Sequence, residues 1–138
     1  MIITNAHKVI LYLSNVVNGS VHDYQLFKNK FGRDKEIFKN NTLCLDLGYQ
    51  GIATDYTVDN LVIPFKRKPI DAYSEWWEVK RAFNKMVSRF RIRIEHAIGG
   101  IKRYRMISQV VRSKTLQRTD NILEVCAELW NYSLPVTA

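Results

Sequence analysis

The strongest constraint on the fold is a change of period after residue 65. Before it, apolar residues come in short, turn-bounded runs. Val9, Leu11 and Leu13 alternate with Ile10 and Tyr12, and Asn5-Ala6-His7 can turn between two short strands within residues 1–17. Asn18-Gly19-Ser20 closes that unit. Asp23 then opens a short helix with Leu26, Phe27 and Phe31 on its apolar face and Gly32 at its end. Residues 33–41 are polar and read as a loop. Thr42–Leu47 reads as a buried strand with Asp46 near its carboxyl end, Gly48-Tyr49-Gln50-Gly51 as a tight turn, and Leu61–Phe65 as another strand. Beyond the Lys66-Arg67-Lys68-Pro69 loop the pattern turns helical from Asp71 to about Tyr104, and a last helix runs over about Arg118–Tyr132. Strands with one short helix over residues 1–65, followed by a long helical region over 71–138, imply a mixed α/β architecture.

The long helix has distinct faces. On a wheel of 100° per residue centred on Glu95, the residues Ile98, Val87, Ile94, Ile101 and Phe90 fall between about −60° and −140°, which is the expected core face. Ser88, Arg91, Gly99 and Lys102 fall within about 40° of Glu95. Gly99-Gly100 is a place for a bend or a close approach. The last helix is expected to bury Ile122, Val125, Cys126, Leu129 and Tyr132.

Charge separates this helical region from an ordinary solvated surface. Between Val79 and Arg118 there are twelve Lys and Arg residues and one acid, Glu95. The whole chain of 138 residues carries a net charge of +8, so its basic excess is local and favours a phosphate-bearing partner. A hydrophobic fraction of 46% is enough for a packed core and excludes a disordered tail. Cys44 and Cys126 lie far apart among apolar neighbours, which reads as two buried free thiols. The apolar run Val9–Val17 is too short to span a membrane and has no signal-peptide flanks, so a cytoplasmic chain without membrane contact is expected.

Two acids invite a chemical reading, each beside a plainer one. Glu95 with Arg91 and Lys102 can be a row of surface ion pairs, worth about 0.2–0.5 kcal/mol per pair. It can also be a metal ligand next to a polyanion. Asp46 can cap the turn that follows it, or hold a hard cation such as Mg²⁺ from the end of a strand. His22 and Asp23 read as a helix start, with a site-adjacent role as the alternative. His96 lies about 100° round the helix from Glu95 and reads as a packing or phosphate-binding residue. Tyr73, Trp76 and Trp77 form an aromatic group suited to a hydrophobic brace or to base stacking.

Gly19-Ser20-Val21-His22-Asp23, Leu45-Asp46-Leu47-Gly48-Tyr49-Gln50-Gly51 and the run from Arg91 through Glu95 to Lys102 together resemble the DDE transposases of bacterial insertion sequences. They are also similar to the Harbinger-type transposases of eukaryotes. The resemblance covers nearly the whole chain and matches the C-terminal part of the catalytic domain. It implies an RNase-H-like fold in which three carboxylates bind two divalent ions, Mg²⁺ or Mn²⁺. Such ions, about 3.5–4 Å apart, promote in-line phosphodiester displacement. By this resemblance Asp46 and Glu95 are the second and third carboxylates, serving as catalytic residues and metal ligands. Arg91 and Lys102 match the flanking basic positions and would contact phosphates of the transposon end. Arg93, Arg103 and Arg105 are read with them as nucleic-acid-binding.

Two departures shape the expectation. Ser88 stands where the family often has Tyr. The family's first Asp lies on the central first strand, between the strands matching residues 1–6 and 42–47, and no Asp precedes Asp23 here. The expected fold is therefore an incomplete RNase-H-like α/β fold, a mixed sheet lacking its central strand. The expected function is that of a truncated or split-frame transposase, inactive alone and working with an upstream transposase segment or as a homo-oligomer on DNA. The alternative is a non-enzymatic DNA-binding protein, such as a repressor of the parent transposase. A ribosomal or RNA-binding role is disfavoured by the absence of any RNA-module motif.

Overall fold

A computed structural model describes residues 1–17, 19–32, 36–67, 75–110 and 116–135. The elements run β1 (Ile2–Thr4), β2 (Ile10–Leu13), α1 (Asp23–Phe31), β3 (Thr42–Cys44), a 3₁₀ turn (Leu47–Tyr49), α2 (Ile52–Asp55), β4 (Asn60–Val62), α3 (Glu75–Lys102), α4 (Arg105–Val110) and α5 (Leu116–Ser133). The chain divides into two compact units, one of residues 1–19 with 92–138 and one of residues 20–91. The architecture is mixed α/β, with two small sheets and a long helical C-terminal region. Among the described residues no helix is long and apolar enough to cross a membrane.

In the unit of residues 1–19 and 92–138, β1 and β2 form an antiparallel hairpin, with Ile2 opposite Leu13 and Ile3 opposite Tyr12. Asn5 builds the turn. Its side-chain oxygen accepts from the amides of His7 (2.9 Å) and Val9 (3.0 Å), which lets Lys8 sit at φ 68°. A two-stranded hairpin is marginal by itself, and α5 holds this one. The Asn131 amide bonds both backbone groups of Ile10, accepting from its N–H at 2.8 Å and donating to its carbonyl at 3.0 Å. Trp130 Nε1 donates to the Lys8 carbonyl at 2.9 Å, and Asp120 accepts from the Val16 amide at 2.6 Å. Around these bonds Ile10, Ala97, Ile101, Cys126, Ala127 and Trp130 make the core.

Those hydrogen bonds explain why α5 buries a different stripe from the expected one. Cys126 is buried as expected, but the residues that face inward with it are Asp120, Ala127 and Trp130. Ile122 is half-buried, while Val125, Leu129 and Tyr132 are exposed, Tyr132 at 91%. Apolar spacing alone selects the row Ile122, Val125, Leu129. The polar side chains of Asp120 and Asn131, bonded to the hairpin backbone, turn the helix the other way. Gly100 is buried against Trp130, whereas Gly99 faces open space.

The unit of residues 20–91 packs around aromatic rings. Phe27 is buried and meets Phe31, Phe38, Tyr49 and Tyr56 at centroid distances of 4.9, 5.4, 5.8 and 5.4 Å. Helix α1 starts where expected, but His22 is its N-cap rather than Asp23: the His22 side chain accepts from the Tyr24 amide at 3.4 Å. Gly32 ends it at φ 59°, and Tyr56 donates to the Gly32 carbonyl at 2.5 Å. Strands β3 and β4 pair in parallel, Leu43 beside Leu61 and Cys44 beside Val62. Both are shorter than expected and half-buried rather than buried. Residues 48–51 are not a simple turn. They carry the chain from the 3₁₀ turn into α2, whose Ile52 is wholly buried, and Gly51 lies so close to the Tyr24 ring that a Cβ would approach it to 2.8 Å.

Helix α3 matches its expected span over Glu75–Lys102; residues 71–74 lie outside the described residues. Its core face holds at Val87 and Ile101, both buried, and at Ile94 and Ile98, both half-buried. Phe90, at the edge of the predicted arc, is 43% exposed. Near its start, Asn84 repeats the Asn131 device on Phe65, accepting from the Phe65 amide at 2.8 Å and donating to its carbonyl at 2.9 Å.

Candidate nucleic-acid site and its carboxylates

Asp46 lies just past β3, in an extended backbone conformation, and caps the 3₁₀ turn. Its Oδ1 accepts from the Leu47 amide at 2.7 Å. The same oxygen faces Arg91 Nη1 at 3.4 Å, and both side chains are about half-exposed. So the capping role and the charged role coexist: the backbone fixes the carboxylate, and a flexible guanidinium covers one of its oxygens. At 3.4 Å this is an ion pair rather than a short charge-assisted hydrogen bond.

The neighbours of Asp46 register its field and that of Arg91. Burial pushes the Tyr49 phenol above its ordinary value, and the carboxylates of Asp23 and Asp46 push it further. Burial also raises the Cys44 thiol, while the Arg91 cation opposes that rise. Sequence reading used Gly48-Tyr49 only as part of a motif; the ring contacts from Tyr49 to Tyr24 and Phe27 show it to be the packed support beneath this corner.

Glu95 lies on α3, in the unit of residues 1–19 and 92–138. It is exposed and has no hydrogen-bond or ion-pair partner among the described residues. The row of ion pairs offered as the plainer reading is therefore not formed: Arg91 pairs with Asp46 instead. Gly99 and Lys102 are exposed on the same face, and a Cβ at Gly99 would meet nothing within 4 Å. Arg103 and Arg105 are exposed and Arg93 is half-exposed. This helix end thus presents cations around one unpaired acid.

Other sequence candidates have simpler roles. His22 starts α1, and His96 is exposed. Ser88 donates to the Lys85 carbonyl at 2.8 Å within the helix. Of the aromatic group, Tyr73 lies outside the described residues, Trp76 is 74% exposed, and Trp77 is half-buried with Arg67 over its ring at 5.8 Å. Cys126 is buried and Cys44 half-buried, and both are free. Among the described residues no group of three or more His, Cys, Asp or Glu side chains is placed to hold a metal ion. Asp46 offers the oxygen donors a hard divalent cation takes, yet these residues alone do not make up such a centre.

Comparison with known proteins supplies the family. The family of DDE superfamily endonucleases matches residues 1–131. A protein of Microchaete diplosiphon named as a probable transposase for insertion sequence element IS702 is 27% identical over 120 residues, which is 87% of this chain and 40% of that protein. The chain thus spans well under half the length of that relative. No solved structure matches.

Proposed function

Because this chain belongs to the DDE superfamily of endonucleases, we propose that residues 1–138 form part of the catalytic domain of an insertion-sequence transposase. The proposed chemistry is divalent-metal-dependent cleavage and strand transfer of phosphodiesters at transposon ends, with Mg²⁺ or Mn²⁺ as the ion. Asp46 and Glu95 are proposed as two of the catalytic, metal-binding carboxylates. Arg91, Arg93, Lys102, Arg103 and Arg105 are proposed to contact DNA. An RNase-H-like sheet goes with this reading. So do a cytoplasmic location and, beside DNA, an upstream transposase segment or a second copy of the chain as partner.

One observation carries the reading: Glu95 is exposed and, among the described residues, unpaired, on a helix face that also carries the cations Arg91 and Lys102. An acid kept in such a field without a structural partner suits a ligand site better than a solubilising surface. A second reading, DNA binding without cleavage, draws on the twelve-to-one excess of basic residues between Val79 and Arg118.

Nicking of transposon-end DNA separates them. The 138-residue chain alone should bind DNA with strong salt dependence and show no nicking above background in Mg²⁺ or Mn²⁺. A longer protein that holds these residues together with the family's first Asp should cleave. Glu95→Gln should then abolish cleavage while leaving DNA affinity and the unfolding midpoint unchanged. Full cleavage by that variant removes Glu95 from the catalytic set, and a longer protein that binds but never cleaves favours the second reading.

A further inference from the structure

We propose that Arg91 is a shared counter-ion: without DNA it covers the Asp46 carboxylate, and a DNA phosphate draws it away. This inference rests on the DNA-binding part of the proposed function, and it adds what that reading lacks, a link between binding DNA and uncovering Asp46.

The geometry assigns the moving part. Asp46 Oδ1 is held by the Leu47 amide at 2.7 Å, a contact built into the turn after β3. Arg91 reaches the same oxygen at 3.4 Å from the end of a long side chain that is 43% exposed. Of the two partners, the guanidinium can leave at little cost and the carboxylate cannot. The other oxygen, Oδ2, has no partner among the described residues, and Arg91 is the one cation among them paired with this carboxylate. A phosphate offers guanidinium two acceptor oxygens in a forked arrangement, a better match than one carboxylate oxygen at 3.4 Å.

Exchange of partners has a thermodynamic consequence. Asp46 competes with DNA for Arg91, so removing Asp46 should tighten DNA binding. Binding DNA should, reciprocally, release Asp46 by the same factor. Exposed pairs of this kind contribute modestly, which corresponds to about a two- to fivefold change in affinity.

A double-mutant cycle in metal-free, EDTA-containing buffer tests this. Anisotropy of a labelled DNA duplex would be followed with the wild-type chain, Asp46→Asn, Arg91→Gln and the double variant. Asp46→Asn should bind about two- to fivefold tighter than wild type. Arg91→Gln should bind more weakly, and adding Asp46→Asn to it should bring no further gain. Equal gains in both backgrounds mean that Asp46 acts only through overall charge, which overturns the exchange and leaves the transposase reading standing. A parallel cycle of urea unfolding measures the pair without DNA, and zero coupling there also overturns it. If no variant binds DNA, the proposed function and this inference fail together.

Discussion

Gly99 and Gly100 are adjacent on one helix, yet alanine should have opposite effects at the two positions. Helix propensity alone favours Ala over Gly by up to about 1 kcal/mol at either site, somewhat less this near the helix end. At Gly99 nothing lies within 4 Å of the added Cβ, so Gly99→Ala should stabilise by about 0.5 kcal/mol. At Gly100 the added carbon would fall 2.0 Å from Trp130 Cε3 and 2.2 Å from Cζ3. Carbon atoms pack at about 3.5–4.0 Å, so the indole must shift by about 1.5 Å or more. It cannot shift freely, because it is buried against Ile101 and Cys126 and its Nε1 donates to the Lys8 carbonyl at 2.9 Å. Overpacking costs about 1–3 kcal/mol. Loss of the hydrogen bond adds about 1 kcal/mol. Net of propensity, Gly100→Ala should lose about 1–3 kcal/mol. Urea unfolding followed by circular dichroism reads both variants against wild type. Trp130→Leu should remove most of the penalty at Gly100 and none of the gain at Gly99. A Gly100→Ala protein as stable as wild type would refute the proposed role of this glycine as the seat of Trp130.

Two further outcomes follow from the hydrogen bonds. Asn131→Ala leaves the amide and carbonyl of the buried Ile10 without partners, so it should cost about 2 kcal/mol and speed amide exchange at Ile10 more than at Leu43, which lies in the other unit. Unchanged exchange at Ile10 would show that the hairpin does not depend on α5. Alkaline pH should act on the aromatic unit. Burial raises the phenols of Tyr24, Tyr49 and Tyr56, and Tyr24 is raised further by its 2.6 Å bond to Asp55. Folded phenols thus hold their protons more tightly than unfolded ones. Their contribution is complete below the ordinary tyrosine value near 10 and is lost as pH rises beyond it. Tyrosine absorbance at 295 nm should therefore change together with unfolding, and Tyr24→Phe should flatten the decline. Titration of these three tyrosines near pH 10 in a still-folded chain would contradict the argument.

What was legible in the sequence was what local chemistry decides. The turn at Asn5, the stop at Gly32 and the long span of α3 follow from side-chain capping, glycine freedom and period. The inward face of α5 was not legible, because it depends on Asp120 and Asn131 bonding a hairpin more than a hundred residues away. Short helix α2 was hidden by Gly48 and Gly51, which read as turn formers although Gly51 serves the approach of Tyr24. At the candidate site, the identities Asp46, Arg91 and Glu95 were legible as a pattern, but the partner of Arg91 was not. Helical spacing points Arg91 at Glu95, and the fold brings it to Asp46 from a segment 45 residues earlier.

That difference in partner separates the two acids in kind. The structure uses its other well-placed polar side chains to build itself: Asn84 and Asn131 each satisfy a complete backbone donor–acceptor pair, and Asp120 caps the end of the hairpin. Asp46 shares in that work through Leu47, so its replacement must disturb the turn as well as any chemistry. Among the described residues Glu95 has no such duty, and neither Gly99 beside it nor the exposed cations at Lys102 and Arg103 fill its space. Fold stability therefore gives no reason for an acid at position 95. Repulsion among the cations is relieved by any acid in their field, but relief by an acid that none of them contacts is weak at this exposure. The proposed ligands, phosphates of DNA for the cations and a divalent ion for the acid, would account for the two sets of charges at once.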